Sequence, residues 1–125
     1  MYRNTRNLQT RNSRPTTQQI QAFIRGINEW AGNETRSHPN NRLNIIVATS
    51  RISDCYRDSL PFLNLNNLNL TSLPAEFSSL IQLRQLDIRN NFLAQGLPLE
   101  IVSLTNLEII NDGNFNITLN PSHQS

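Results

Sequence analysis

One pattern governs what this chain can fold into. The template L-x-x-L-x-L-x-x-N-x-L occurs three times, at intervals of 23 and then 24 residues. Copy one supplies Leu60, Leu63, Leu65, Leu68 and Leu70; copy two supplies Leu83, Leu86, Ile88, Asn91 and Leu93; copy three supplies Leu107, Ile110, Asp112, Phe115 and Ile117. A second block follows the first two copies. Leu73-Pro74-Ala75-Glu76-Phe77 with Ser79-Leu80 matches Leu97-Pro98-Leu99-Glu100-Ile101 with Ser103-Leu104. Gln82-Leu83 and Asn106-Leu107 open the next copies, and the extra residue of the longer interval falls at Gln95-Gly96, in a turn. Two agreeing blocks at a fixed period signal stacked structural units. Only 37% of the chain is hydrophobic, yet 15 of its 17 leucines lie between Leu60 and Leu119, so a core is within reach there.

In Leu63-Asn64-Leu65, strand alternation sends both leucines to one side and the asparagine to the other. Stacked copies then lay their strands side by side in a parallel sheet, about 4.8 Å apart. The later leucines and the Leu-Pro turn close each coil from the opposite side. One coil alone leaves its apolar face wet, so stability comes from neighbours, and about three copies are normally needed. The expected class is therefore α/β: a short leucine-rich-repeat solenoid with a parallel, concave sheet. The asparagine of the template should hydrogen-bond turn backbone from inside the coil. Only Asn91 fills that position; Leu68 and Phe115 replace it, and Asp112 breaks the inward apolar rule. Such departures belong to edge coils.

The segment before the repeats reads as a helical cap over 16–58. Pro15 closes the preceding arm, and Thr16 or Thr17 can cap a helix. Ile20, Phe23, Ile24, Ile27 and Trp30 then recur at helical spacing, and Gly32-Asn33 supplies a stop. A polar linker follows over Glu34–Asn41. A second helix is expected from about Asn41 to Tyr56, with a stripe of Leu43, Ile46, Val47, Ile52 and Cys55, and with Ala48 and Tyr56 beside it. The division is thus a basic arm (1–15), a two-helix N-terminal cap (16–58), repeats (59–119) and a polar tail (120–125). That tail is too small to cap the stack. Leu107, Ile110, Phe115, Ile117, Leu119 and a parallel strand edge are therefore expected to be open, which leaves three outcomes: a longer native chain, a homodimer through that edge, or a marginal domain; a natural short protein with partial self-capping, or self-association, is favoured over a cut chain.

Charge is uneven. Arg3, Arg6, Arg11 and Arg14 give the first 14 residues +4 with no acid, while the remainder holds seven arginines against nine acids. The arm reads as disordered, because nothing in it can bury enough surface to offset chain entropy. It is open to three uses: a solvated tail, an uncleaved secretion or targeting segment, or a contact for phosphate or anionic lipid. Four arginines without interleaved aromatics are a poor nucleic-acid signal, so no nucleic-acid partner is expected. Met1–Arg14 has no apolar h-region, and no run of about 18 apolar residues exists to span a membrane. All 11 basic residues are arginine. Having no lysine would spare the chain side-chain ubiquitination.

Candidate chemistry is sparse. Cys55, the single cysteine, sits on a helical stripe and reads as a buried thiol. His38 and His123 lie in a linker and a tail and make no metal spacing with it. The four glycines form no phosphate loop. Asp54 and Asp58 are one helical turn apart, but Arg51 and Arg57 are near, so a solvated, salt-bridged face is the better reading. Three sequons, at Asn33, Asn69 and Asn116, are expected by chance among 19 asparagines. No catalytic residues, metal or cofactor are expected, and the chain reads as a non-enzyme.

A binding surface can be named instead. Outward positions beside the strand leucines are Phe62, Asn64 and Asn66 in copy one, Gln85, Asp87 and Arg89 in copy two, and Ile109, Asn111 and Gly113 in copy three. Phe62 and Arg89 are the anchor candidates, since aromatics and arginine dominate binding hot spots. Phe92 and Asn67 could extend the patch. Three strands span only about 10 Å across the sheet. That is short of the roughly 800 Å² per partner of a standard interface.

A tryptophan-bearing helix, a second helix ending Ile52-Ser53-Asp54-Cys55-Tyr56, then Leu63-Asn64-Leu65 and Leu70-Thr71-Ser72-Leu73-Pro74 together resemble the helical cap and first repeat of secreted bacterial leucine-rich-repeat effectors, of which the IpaH-type ubiquitin-ligase effectors are the best-known group. The resemblance covers roughly 16–75. The later repeats are equally similar to intracellular Ras-group leucine-rich-repeat proteins, through Leu97-Pro98-Leu99-Glu100-Ile101 and Leu104-Thr105-Asn106-Leu107. The resemblance implies a cap that shields the first coil and a concave face that binds a host protein. In the ligases, catalysis belongs to a separate cysteine-based domain that nothing here matches. The expected function is a protein–protein interaction module, a secreted bacterial effector or adaptor acting in a host cell or in the cytoplasm. Two alternatives stand beside it: a repeat unit that self-assembles through its last coil, and the substrate-recognition part of a longer ubiquitin-ligase effector.

Overall fold

A computed structural model describes residues 14–93, 101 and 104–111, together with the backbone of strand 116–118. Helix α1 spans Thr17–Ser37 and helix α2 spans Arg42–Arg57, with a single 3₁₀ turn, Pro39–Asn41, between them. Strands β1 (Phe62–Asn64), β2 (Gln85–Asp87), β3 (Ile109–Asn111) and β4 (Asn116–Thr118) form one open sheet in that order. A 3₁₀ helix, Ala75–Ser79, lies between β1 and β2. The class is α/β: two helices beside a small sheet whose first three strands are parallel.

Helix α1 begins with a reciprocal cap. Thr16 Oγ1 accepts from the Gln19 N–H at 3.1 Å, and Gln19 Oε1 accepts from the Thr16 N–H at 2.9 Å. Two of the orphan donors at the helix start are so satisfied. The helix does not stop at Gly32-Asn33; it runs on through the first part of the expected linker. An interior glycine costs only about 1 kcal/mol. The added turn buries Glu34, at 7% exposure, against the loop after β1. Thr71 Oγ1 donates to Glu34 Oε1 at 2.8 Å, the Thr71 N–H to Oε2 at 3.2 Å, and Ser72 Oγ to Oε1 at 3.1 Å. Trp30 Nε1 in turn donates to Ser72 Oγ at 2.9 Å.

Helix α2 corrects the expected stripe. Ile45, Ala48, Ile52 and Cys55 are buried, whereas Leu43 and Ile46 are 75% and 52% exposed. The buried set follows i, i+3, i+7 and i+10, rotated from the sequence stripe because α1 and the first copy lie on that side. The rings of Phe23 and Tyr56 stack at 4.0 Å between centroids, joining the two helices. A single core runs from Phe23 and Ile27 through α2 to the strand residues.

The sheet keeps the sequence period as its register. Phe62 pairs with Gln85 and Gln85 with Ile109; Leu63, Leu86 and Ile110 form the next row; Asn64, Asp87 and Asn111 the third. Hydrogen bonds recur with the same offset. The Leu65 N–H donates to Asp87 O at 2.8 Å and the Ile88 N–H to Asn111 O at 2.9 Å. The Leu83 and Leu107 N–H groups reach Leu80 O and Leu104 O at 3.0 and 3.1 Å. Phe77 and Leu80 in one copy, and Ile101 and Leu104 in the next, are buried at matching places. Leu60 departs from the template, being 40% exposed; it lies in the turn leaving α2, with its carbonyl held by Gln82 Nε2 at 2.9 Å.

Asn91 occupies its expected place. Its Oδ1 accepts from the Leu68 and Leu70 N–H groups at 3.2 and 2.9 Å, and its Nδ2 donates to Leu65 O at 2.8 Å. Copy one has Leu68 at the equivalent position, buried. There the cap substitutes: Asn41 Nδ2 donates to Leu68 O and Asn69 O, each at 3.0 Å.

The far end also departs from expectation. Strand β4 returns antiparallel beside β3, pairing Ile117 with Ile110, so the parallel edge of β3 is covered rather than open. Leu107 and Ile110 are buried at 2% and 0%. Ile117 therefore belongs to a return strand and does not continue a third coil. The arm over 1–13, Phe115, Leu119 and the tail fall outside the described residues.

Candidate protein-interaction face

Strand alternation decides which side chains reach the outer face of the sheet. Its inner row, Leu63, Leu86 and Ile110, is buried in the core. The outer rows hold Phe62, Gln85 and Ile109, then Asn64, Asp87 and Asn111, in register across three strands. Asn66 and Arg89 follow beyond the strand ends. The structure thus brings all eight named site residues to one face; Gly113 lies outside the described residues.

The members differ in what they offer. Phe62 is 48% exposed. Gln85 is exposed, and Ile109 and Asn111 are half-buried. Asp87 is only 8% exposed, contrary to its reading as an available outward group. Its Oδ1 accepts from the Arg89 N–H at 3.1 Å and Nε at 3.0 Å, and its Oδ2 from Nη2 at 2.8 Å. Those hydrogen bonds, and then the carboxylate charge, raise the Arg89 guanidinium pKa. Arg89 is consequently an engaged side chain, not a free anchor. Asn64 repeats the same turn in copy one: its Oδ1 accepts from the Asn66 N–H at 2.8 Å. Asn66 Oδ1 accepts from Asn90 Nδ2 at 3.1 Å.

Sequence reasoning missed two rim elements. Arg51 of α2 donates through Nη1 to Asn64 O at 3.1 Å, beside β1. Arg84 Nη2 and Nε bind Glu108 Oε2 at 2.7 and 3.1 Å, at the start of β2 and β3. The second was legible, since Arg84 and Glu108 sit 24 residues apart at matching template positions; the first needed the packing of α2 beside the sheet. Phe92 and Asn67 are both exposed, beside the strands.

Among the described residues, the remaining titratable groups do not gather into a reactive centre. Cys55 is fully buried; its Sγ lies 3.5 Å from Leu60 O and 3.8 Å from Gln82 Nε2. Burial pushes the thiol from an ordinary 9.0 up to about 11, the hydrogen bonds from Gln82 and to Leu60 offsetting this only in part. The thiolate that a nucleophile needs is therefore suppressed. Asp54 pairs with Arg57 at 2.6 Å on the solvent side of α2. Among the described residues no group of three or more His, Cys, Asp or Glu side chains could hold a metal ion, and no helix is long and apolar enough to cross a membrane. An open cleft of about 750 Å³ near the start of α1 has Arg14 as its one charged lining residue among the described residues.

No family model matches this chain, and no curated protein or solved structure matches it.

Proposed function

We propose that this chain is a protein-interaction module: a short leucine-rich-repeat solenoid, capped by α1 and α2, that docks a protein partner on the outer face of β1–β3. The in-register strands and the hydrogen bonds that recur at the sequence period support the solenoid. Asn91, from the second copy, and Asn41, from the cap, each tie a turn of copy one, which stacked coils would need. The observation that carries the docking role is Phe62: a large aromatic ring stands half in solvent on the sheet face while the rows behind it are sealed. Aromatic side chains of this kind are the usual centres of binding energy. The buried, high-pKa thiol of Cys55 favours a binder over a cysteine enzyme.

The resemblance of the cap and first repeat to secreted bacterial effectors extends the proposal: the partner would be a host protein, met after secretion. The reading is tested by placing a photo-crosslinking amino acid at Phe62 or Gln85 in one set of variants and at Leu43 in another. Cross-links formed by the first set, lost after Phe62→Ala elsewhere in the same chain (with the crosslinker at Gln85), support the face. Cross-links confined to Leu43 sink it.

A further inference from the structure

We infer that the β1–β3 face takes a short extended peptide segment without net charge, held by an apolar side chain against Phe62; this rests on the interaction-face reading above. Three observations carry it. First, the charges at the face are spoken for by their own neighbours. Asp87 and Arg89 share two side-chain hydrogen bonds, at 3.0 and 2.8 Å, and Asp87 is nearly buried. Arg84 and Glu108 share two more at the base of the strands. An arriving charge would compete with a counter-charge already at hydrogen-bond distance, so these groups offer it less than free ions would. Arg51, on the rim, is the described cation outside these pairs, and it is held to Asn64 O.

Second, what remains available is apolar and amide. Phe62, Gln85 and Ile109 form one row across the sheet. The Gln85 amide and the Nδ2 groups of Asn64 and Asn66 make no hydrogen bond among the described residues. Side-chain amides both donate and accept, so they complement a peptide backbone whatever its side-chain charge. Third, the face is small. The three parallel strands are about 10 Å across, about 14 Å with β4 beside them, and would be crossed by three to five extended residues at roughly 3.3 Å each. A globular partner needs about 800 Å² on each side.

The test is selection of a random linear peptide library against the full chain, followed by affinity measurement. The expected winners share an uncharged core with one aromatic or aliphatic residue. Their affinity changes less than about twofold between roughly 0.05 and 0.5 M NaCl, because no counter-ions are displaced. Phe62→Ala weakens them at least about tenfold, while Leu43→Ala, on the exposed side of α2, leaves them unchanged. Winners with an acidic or basic run, salt-sensitive yet lost on Phe62→Ala, overturn the neutral-peptide inference and leave the face standing. Peptides indifferent to both Phe62→Ala and Gln85→Ala overturn the face itself. Failure to enrich any peptide, or a doubling of solution mass that Phe62→Ala abolishes, also overturns the inference, the latter in favour of a second copy.

Discussion

Asn91 is the residue with the most backbone to lose. Two N–H groups and a carbonyl of copy one depend on its side chain. Asn91→Ala is expected to lower the unfolding free energy by about 2–4 kcal/mol, since leaving buried groups unpaired costs roughly 1–3 kcal/mol each. A urea titration followed by circular dichroism reads this directly. Cys55 sets an alkaline limit. The fold keeps the protonated thiol, so that contribution is whole below about pH 9 and fades as pH rises through about 11. Cys55→Ser or Cys55→Ala should flatten the fall in melting temperature across that window. A rate of thiol labelling at neutral pH equal to that of a free peptide would contradict the burial. Arginine, by contrast, is not demanded everywhere it occurs. Arg25 and Arg42 are exposed, and their side chains make no hydrogen bond or ion pair among the described residues. Arg25→Lys and Arg42→Lys should each change stability by less than about 0.5 kcal/mol.

At the scale of elements, the two helices show where periodicity suffices and where it does not. In α1 the stripe is unambiguous, and Phe23 and Ile27 are buried where the sequence places them. In α2, leucine, isoleucine and valine occur on several faces, so spacing alone allows two stripes. Only the neighbours of α2 select Ile45 and Ala48 over Leu43 and Ile46. Ile45→Ala should therefore cost about 2–5 kcal/mol, and Leu43→Ser close to nothing, compared in one denaturation series. The end of α1 makes the same point. Glu34 reads as linker polarity until Thr71 and Ser72, 37 and 38 residues away, arrive to donate to it. Glu34→Ala should cost about 1–3 kcal/mol through the stranded Thr71 N–H. It should also alter the emission of Trp30, the sole tryptophan, whose indole N–H rests on Ser72.

For the molecule as a whole, the proposed solenoid would make stability follow the number and sealing of copies, because each coil would then cover its neighbour. Inserting a 24-residue consensus copy between the second and third should raise the urea midpoint if the copies are solenoid turns. A lower midpoint or a second transition would count against that architecture. Ending the chain after Asn111 removes β4 and uncovers β3, whose pairing partner in Ile110 is Ile117. Concentration-dependent mass in light scattering is the expected outcome, since an unpaired strand edge is a template for association.

The leucine period determined the parallel register of β1–β3, the buried rows and the side of the sheet that faces outward. These follow from a repeat of side-chain types, and a repeat in sequence must be a repeat in environment. The tertiary structure decided the rest: the rotation of α2, the burial of Glu34, the locking of Arg89 by Asp87 and the return of β4. Each is a contact between segments whose local sequences are satisfied by more than one arrangement. Local preference leaves such choices open, and only the surface presented by the neighbouring segment makes one of them lower in free energy.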